Sequence, residues 1–263
     1  MTNPPYDVSD GKAASVSRRL IVTADDVGLD RGMTAGAIRA HRDGIVTACS
    51  IVANGREFDD AVARLREVPS LEVGVHLALV EERALTTGAP MPRNYVRFVL
   101  GRRGDVEPEL RAQIEKVLAT GLRVTHLNGH QHLHMLPRIR RVVERLAKEY
   151  GIGYVRVVND QGGRKRRLSM AVLNRVAAAA PGRYTIGVAE AGHISTKRTI
   201  ELLDYVEGVT ELVTHPGIDV SGYVHWGYAW DEETRALCDP LVRAAITGRG
   251  IELIAPSALR SPG

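Results

Sequence analysis

Two neighbouring aspartates, Asp25 and Asp26, close the apolar run RLIVTA. Adjacent carboxylates repel one another and are costly to bury. One reading is a pair that leads into and caps the next helix. The chemical reading is that one carboxylate binds a cation while its neighbour handles a proton. His76 sits in a second apolar stretch, VGVHLAL, where a lone histidine would read as a satisfied core residue. Further on, THLNGHQHLHM holds His126, His130, His132 and His134, four of the nine histidines of the chain. Neutral imidazole is the commonest metal ligand, so such a tract is a metal-binding candidate. Bound imidazoles need partners to orient them, so one direct ligand and two or three supporting histidines are expected here. His215 follows in VTHPG, on a Pro-Gly bend.

A parallel sheet would bring these groups together. Short apolar runs alternate with helical stretches along the chain, which argues for βαβ units. Strands are expected at Arg19–Ala24, Val46–Val52, Leu71–Leu77, Leu122–Leu127, Gly153–Val158, Arg183–Val188, Thr210–Thr214 and Ile251–Ile254. Helices are expected at Asp30–Arg42, Glu57–Val68, Pro108–Thr120, Pro137–Tyr150, Leu168–Ala179, Thr196–Val206 and Asp231–Thr247. Val80–Asp105 breaks the rhythm, and a connection of that length reads as a lid or binding loop. The expected fold class is α/β: a single-domain, mainly parallel (β/α) barrel-like fold over 18–263, distorted or incomplete barrels included, preceded by a loose tail over 1–17. A doubly wound open sheet is the alternative, since rhythm does not decide closure. In either fold, functional groups collect at the carboxyl ends of the strands. The Asp pair, His76, the histidine tract and His215 all fall there, and one Asp with two His makes an open divalent-metal site.

Composition narrows the partners. Hydrophobic content of 44% and charged content of 25% are those of an ordinary globular protein. Net charge is +4 with acids and bases well mixed. The local cluster Arg164, Lys165, Arg166, Arg167 is either a solvated loop or a contact for a phosphate or an anionic head group. No aromatic residues interleave it, so nucleic acid is not an expected partner. Cys49 and Cys238 lie far apart without CxxC spacing, so no disulfide framework is implied. No apolar signal core or transmembrane segment is legible, and a cytoplasmic location is expected. A homodimer is left open.

The blocks LIVTADDVG, DGIVTACSIVANG, PSLEVGVHLAL, THLNGHQHLHMLP and LVTHPG resemble, in order and spacing, the YdjC-like carbohydrate deacetylases, which include chitooligosaccharide deacetylases and hopanoid-associated relatives. The resemblance runs from about Arg19 to Ile254. Two departures stand out. Val27 follows the Asp pair where the family usually has Phe, and His130-Gln131-His132 replaces a frequent run of three histidines. The resemblance implies a distorted (β/α) barrel related in mechanism to NodB-type polysaccharide deacetylases. It implies Asp26, His76 and His130 as metal ligands, Asp25 as general base and His215 as general acid, with the reverse roles for the two aspartates as the alternative. It also implies an N-acetylated sugar or glycoconjugate as substrate.

Zn²⁺ suits two imidazoles and a carboxylate best, with Mg²⁺, Co²⁺ and Ni²⁺ as alternatives. Tyr223, Trp226 and Tyr228 either stack on a sugar ring or pack a long loop. Arg156 either orients a carboxylate, contacts substrate or forms a plain salt bridge. His126, His132 and His134 are expected to support the site or touch substrate. Another metal-dependent amide or ester hydrolase on the same scaffold is the first alternative function. A sugar- or metal-binding protein without turnover is the second, and the intact Asp pair argues against it.

Overall fold

A computed structural model describes residues 17–101, 104–161 and 183–259. The expected helix Leu168–Ala179, the basic cluster Arg164–Arg167 and the expected tail up to residue 16 lie outside the described residues. The strands are Arg19–Val27 (β1), Ala48–Ile51 (β2), Glu72–Leu77 (β3), Val124–Gly129 (β4), Tyr154–Val155 (β5), Asp160–Gln161 (β6), Arg183–Ile186 (β7), Val209–Thr214 (β8) and Glu252–Leu253 (β9). The helices are Arg31–Arg42 (α1), Phe58–Arg66 (α2), Tyr95–Leu100 (α3), Glu107–Leu118 (α4), Pro137–Glu149 (α5), Thr196–Leu202 (α6), Trp230–Cys238 (α7) and Pro240–Gly248 (α8).

The strand order is β5-β4-β3-β2-β1-β8-β7-β6, with β9 also on β1, and every pair is parallel. The sheet curls into a half-barrel that, among the described residues, has no pairing between its ends β5 and β6. The fold is therefore the α/β barrel-like one expected, in its incomplete form.

β1 lies at the centre, and all but its first residue is buried. That is why it reads as a continuous apolar run: a parallel strand covered on both faces has no polar side to show. Alternation still sorts its side chains. Leu20, Val22 and Ala24 join the main core with Ala37, Ile38 and Ala40 of α1. Ile21 packs instead with Tyr154 and Ile254. Burying a side chain such as Leu20 contributes roughly 1.5–3 kcal/mol. On the face of Ile21, Thr23 bonds Glu211 of β8, so this inner face grows polar toward the end that carries Asp25.

The structure moves several boundaries. The expected helix 231–247 is two helices. Pro240 has no N–H to donate and forces Asp239 into an extended conformation (φ −69°, ψ 125°), from which the Asp239 side chain caps Leu241 N. The expected fifth strand shrinks to Tyr154–Val155. After one more ladder bond, Arg156 N to Leu127 O, the chain leaves, and Val157 and Val158 join a separate apolar cluster with Met135, Val188 and Val213. Within the connection 80–105 a short helix forms, α3, capped by Asn94 onto Arg97 N. Among the described residues no helix is long and apolar enough to cross a membrane.

Candidate metal centre

Successive residues of a strand point to opposite faces, so an adjacent pair cannot normally serve one site. β1 solves this with a bulge. Its register against β2 shifts between Ala24 and Val27, and Asp26 takes a left-handed conformation, φ 65°. Bulges re-aim side chains next to active sites. A non-glycine residue at positive φ is strained and persists only where its surroundings hold it. Five such residues occur among those described, and four of them, Asp26, Glu81, Gln131 and His132, gather at the carboxyl ends of the strands.

His76 is the penultimate residue of β3, opposite Asn128 of β4. His130 opens the 3₁₀ turn that follows β4. His215 follows β8, and its loop is held against α1 by two glycines. A Cβ on Gly36 would lie 2.4 Å from the backbone of Gly217, and one on Gly32 would lie 2.2 Å from the carbonyl of Ile218. Only glycine permits that approach.

These elements bring three ligand groups together. Asp26, His76 and His130, all buried, present donor atoms within 4.8 Å of one another. Asp26 Oδ1 lies 3.2 Å from His76 Nε2 and 3.0 Å from His130 Nδ1. The outer nitrogen of each ring is already engaged: His76 Nδ1 donates to Asn128 Oδ1 at 2.7 Å, and His130 Nε2 donates to Glu81 Oε2 at 2.9 Å. The inner nitrogens thus turn toward Asp26. This is the pattern of metal-binding histidines, whose second N–H is fixed by a carboxylate or carbonyl.

Burial opposes a charge on His130, but Asp26 and Glu81 prevail and push its pKa up to about 10. Asp26 is held well below the usual carboxylate range: burial works against it, and His130 and His76 outweigh burial. His130 therefore holds a proton against Asp26, and a divalent cation is the group that would take that proton's place. The donor set fits one.

Asp25 lies beside the triad, its Oδ1 3.9 Å from His76 Nδ1, but takes its hydrogen bonds from other groups. Its Oδ1 accepts from Ser50 Oγ (2.8 Å), Asn128 Nδ2 (2.9 Å) and Arg156 Nη2 (2.9 Å), and its Oδ2 accepts from Arg156 Nη1 (2.5 Å). Arg156 also donates to Glu211, whose other partners are Thr23 and Tyr154. Burial would raise the Asp25 pKa, but Arg156 and then His76 overcome it and hold the group ionised far below the ordinary range. Arg156 is 1% exposed, so it has no surface to offer a substrate and it orients carboxylates.

His215 Nε2 lies 3.7 Å from Asp26 Oδ2, its Nδ1 is buried without a partner, and burial lowers its pKa. Trp226 stacks on His130 with centroids 5.5 Å apart, and Tyr228 meets His215 edge-on at 5.4 Å. Tyr223 packs on Trp226 and donates its hydroxyl to Glu82. Two expected supporting histidines point away from the triad. His126 fills the space over Gly74, where a Cβ would overlap its ring, and bonds Thr125. His134 bonds the carbonyl of Arg156. His132 lies edge-on to His134, and burial holds it neutral, with a pKa of about 3.

Sequence reasoning missed Ser50, Asn128, Glu81 and Glu211. Ser50 and Asn128 are at strand ends and could have been found by the rule that found His76. Glu211 was legible as a lone charge inside the apolar run VTELVT. Glu81 lies in a long connection and left no signal.

Comparison with known proteins bears on this constellation. The family described as YdjC-like protein matches residues 19–248. A carbohydrate deacetylase of Geobacillus stearothermophilus is 33% identical over 249 residues, 90% of this chain and 96% of that protein. A carbohydrate deacetylase of Brevibacillus brevis is 37% identical over 148 residues, 51% of this chain and 57% of that protein, so the match spans little more than half of that relative. Among solved structures, a protein of Enterococcus faecalis V583 provisionally named for cellobiose-phosphate cleavage superposes with a TM-score of 0.74 at 23% identity, covering 93% of this chain and 99% of that one. At that identity the likeness speaks for the fold alone.

Proposed function

The chain belongs to the YdjC-like protein family, and from that premise we propose that it is a carbohydrate N-deacetylase that holds one divalent cation with Asp26, His76 and His130. The observation that carries the reading is the triad itself, with the outer N–H of both imidazoles already fixed by Asn128 and Glu81. Two imidazoles and a carboxylate suit Zn²⁺ best, with Mg²⁺, Co²⁺ and Ni²⁺ as weaker fits. A cation there supplies Lewis acidity, polarising an amide carbonyl and bringing the pKa of water down toward ~7.

The remaining steps belong to the chain's own groups. Asp25 takes a proton from the attacking water. Its Oδ2 has one hydrogen bond, from Arg156, and so keeps a lone pair for that proton. Arg156 keeps the carboxylate ionised and aimed. As the water oxygen bonds the acetyl carbon and the C–N bond breaks, His215, protonated, gives its proton to the leaving nitrogen. Burial lowers its pKa, which makes its imidazolium a stronger acid. The products are acetate and the free amine. Trp226 and Tyr228 form an aromatic wall against which a sugar ring can stack. A cavity of about 700 Å³ lined by Arg56, Glu81, Glu82, Arg93, Asn94 and Tyr223 gives room for further sugar units.

The test is acetate release from N-acetylglucosamine, its short oligomers and an acetylated glycolipid analogue, by metal-replete protein with and without chelator. Chelator-sensitive release supports the reading. No acetate from any substrate, with metal bound and the fold intact, refutes it in favour of another amide or a binding role.

A further inference from the structure

Glu81 belongs to the long connection after β3, yet it is built into the site rather than hung over it. Its backbone is left-handed, φ 69°, and its N–H bonds Pro92 O at 2.8 Å. The stretch around it is pinned to α4. Gln113 accepts from Ala78 N and donates to Ala78 O, and the Glu109 carboxylate accepts from Leu85 N, Thr86 N and Thr86 Oγ1. Glu81 Oε2 faces His130 Nε2 at 2.9 Å, and Glu81 Oε1 accepts from Gln131 Nε2 at 3.1 Å. Gln131 in turn accepts from Tyr95 N at 2.8 Å, the first residue of α3. Gln131 is itself left-handed, φ 50°. Its amide thus donates at one end to Glu81 and accepts at the other from Tyr95 N, tying the carboxylate to α3.

We infer that Glu81, held in place by Gln131, is a positioning residue of the metal centre: it accepts the Nε2–H of His130, fixing the ring with Nδ1 turned toward the cation position beside Asp26. This rests on the cation site proposed above. The carboxylate both selects the tautomer and strengthens the imidazole as a donor, and removing such a partner commonly costs 10–100-fold in metal affinity. A salt bridge with a purely structural role would affect the fold and leave metal affinity untouched.

The experiment measures Zn²⁺ affinity by competition with a chromogenic chelator, and the visible absorption of the Co²⁺-loaded protein, for the wild type, Glu81→Ala, Glu81→Gln and Gln131→Ala. Near-UV circular dichroism in chelator checks that each variant is folded. We expect Glu81→Ala to bind Zn²⁺ roughly 10–100-fold more weakly with an altered Co²⁺ spectrum. The isosteric Glu81→Gln and the Gln131→Ala variant should show smaller losses in the same direction. At saturating metal, kcat should fall in Glu81→Ala. Folded Glu81 variants with wild-type affinity and spectrum would overturn the inference and leave the cation site standing. A wild type that binds neither metal would overturn the cation site, and this inference with it.

Discussion

Arg156 is the residue whose removal should reveal most about how the site is held. Its side chain is fully buried and donates four hydrogen bonds, two to Asp25 and two to Glu211. Arg156→Met keeps most of the volume but leaves two buried carboxylates without their cation. Breaking a buried pair from one side costs about 3–5 kcal/mol, which in a chain of this size lowers Tm by roughly 6–20 °C. The pH dependence carries the sharper signature. In the wild type the Asp25 pKa is depressed, so its contribution to stability is present above the unfolded value of 3.8 and is lost as pH falls toward the folded value. In the variant, burial loses its main opponent and the pKa rises above the unfolded value, so stability then declines as pH rises. The deficit against wild type should therefore be larger at pH 7 than at pH 4. Urea unfolding at both pH values, in chelator, measures it. Adding Glu211→Gln should recover part of the loss by removing one orphaned charge, with a coupling of about 0.5–3 kcal/mol. A deficit under about 1 kcal/mol that is the same at both pH values would refute the argument that Arg156 offsets the burial of these acids.

Asp25→Asn should abolish acetate release while Zn²⁺ still binds, and Asp26→Asn should lose the metal itself; equilibrium dialysis separates the two, and metal loss in the Asp25 variant would reverse the assignment. Gly36→Ala should destabilise by roughly 1–3 kcal/mol through overpacking, because its Cβ would meet Gly217 backbone at 2.4 Å; an unchanged Tm would show that the loop carrying His215 is not wedged there. Burial pushes the Asp160 carboxyl up to about 7, so the native state holds a proton that the unfolded chain releases near 4. Stability contributed by this group is then lost as pH climbs from about 4 to 7. Asp160→Asn should flatten that part of the stability profile relative to wild type in thermal unfolding at pH 5 and 7.5, and a parallel profile would contradict the assignment.

The candidate site residues were legible because parallel α/β folds put functional groups at one end of the strands. Asp25, Asp26, His76, His130 and His215 each sit at a strand's carboxyl end in the sequence pattern, and the structure places them there. Local rules also found α1, with Asp30 capping Gly32 N, and the long connection after β3. They missed the break at Pro240, although the Asp-Pro pair signalled it.

What the sequence by itself determined was the period of each element and the types of its polar ends, because both are written in neighbouring residues. Tertiary structure alone decided the rest. Whether the sheet closes depends on pairing at strands as short as Tyr154–Val155, which carry no pattern of their own. Which aspartate faces the histidines depends on one bulge and one left-handed residue, Asp26. Which histidine of the tract reaches the triad depends on the turn after β4, where two consecutive left-handed residues send His130 and His134 to different partners. The carboxylates that hold the site, Glu81 and Glu211, come from segments 130 residues apart, and only packing brings their charges to bear on His130 and Arg156.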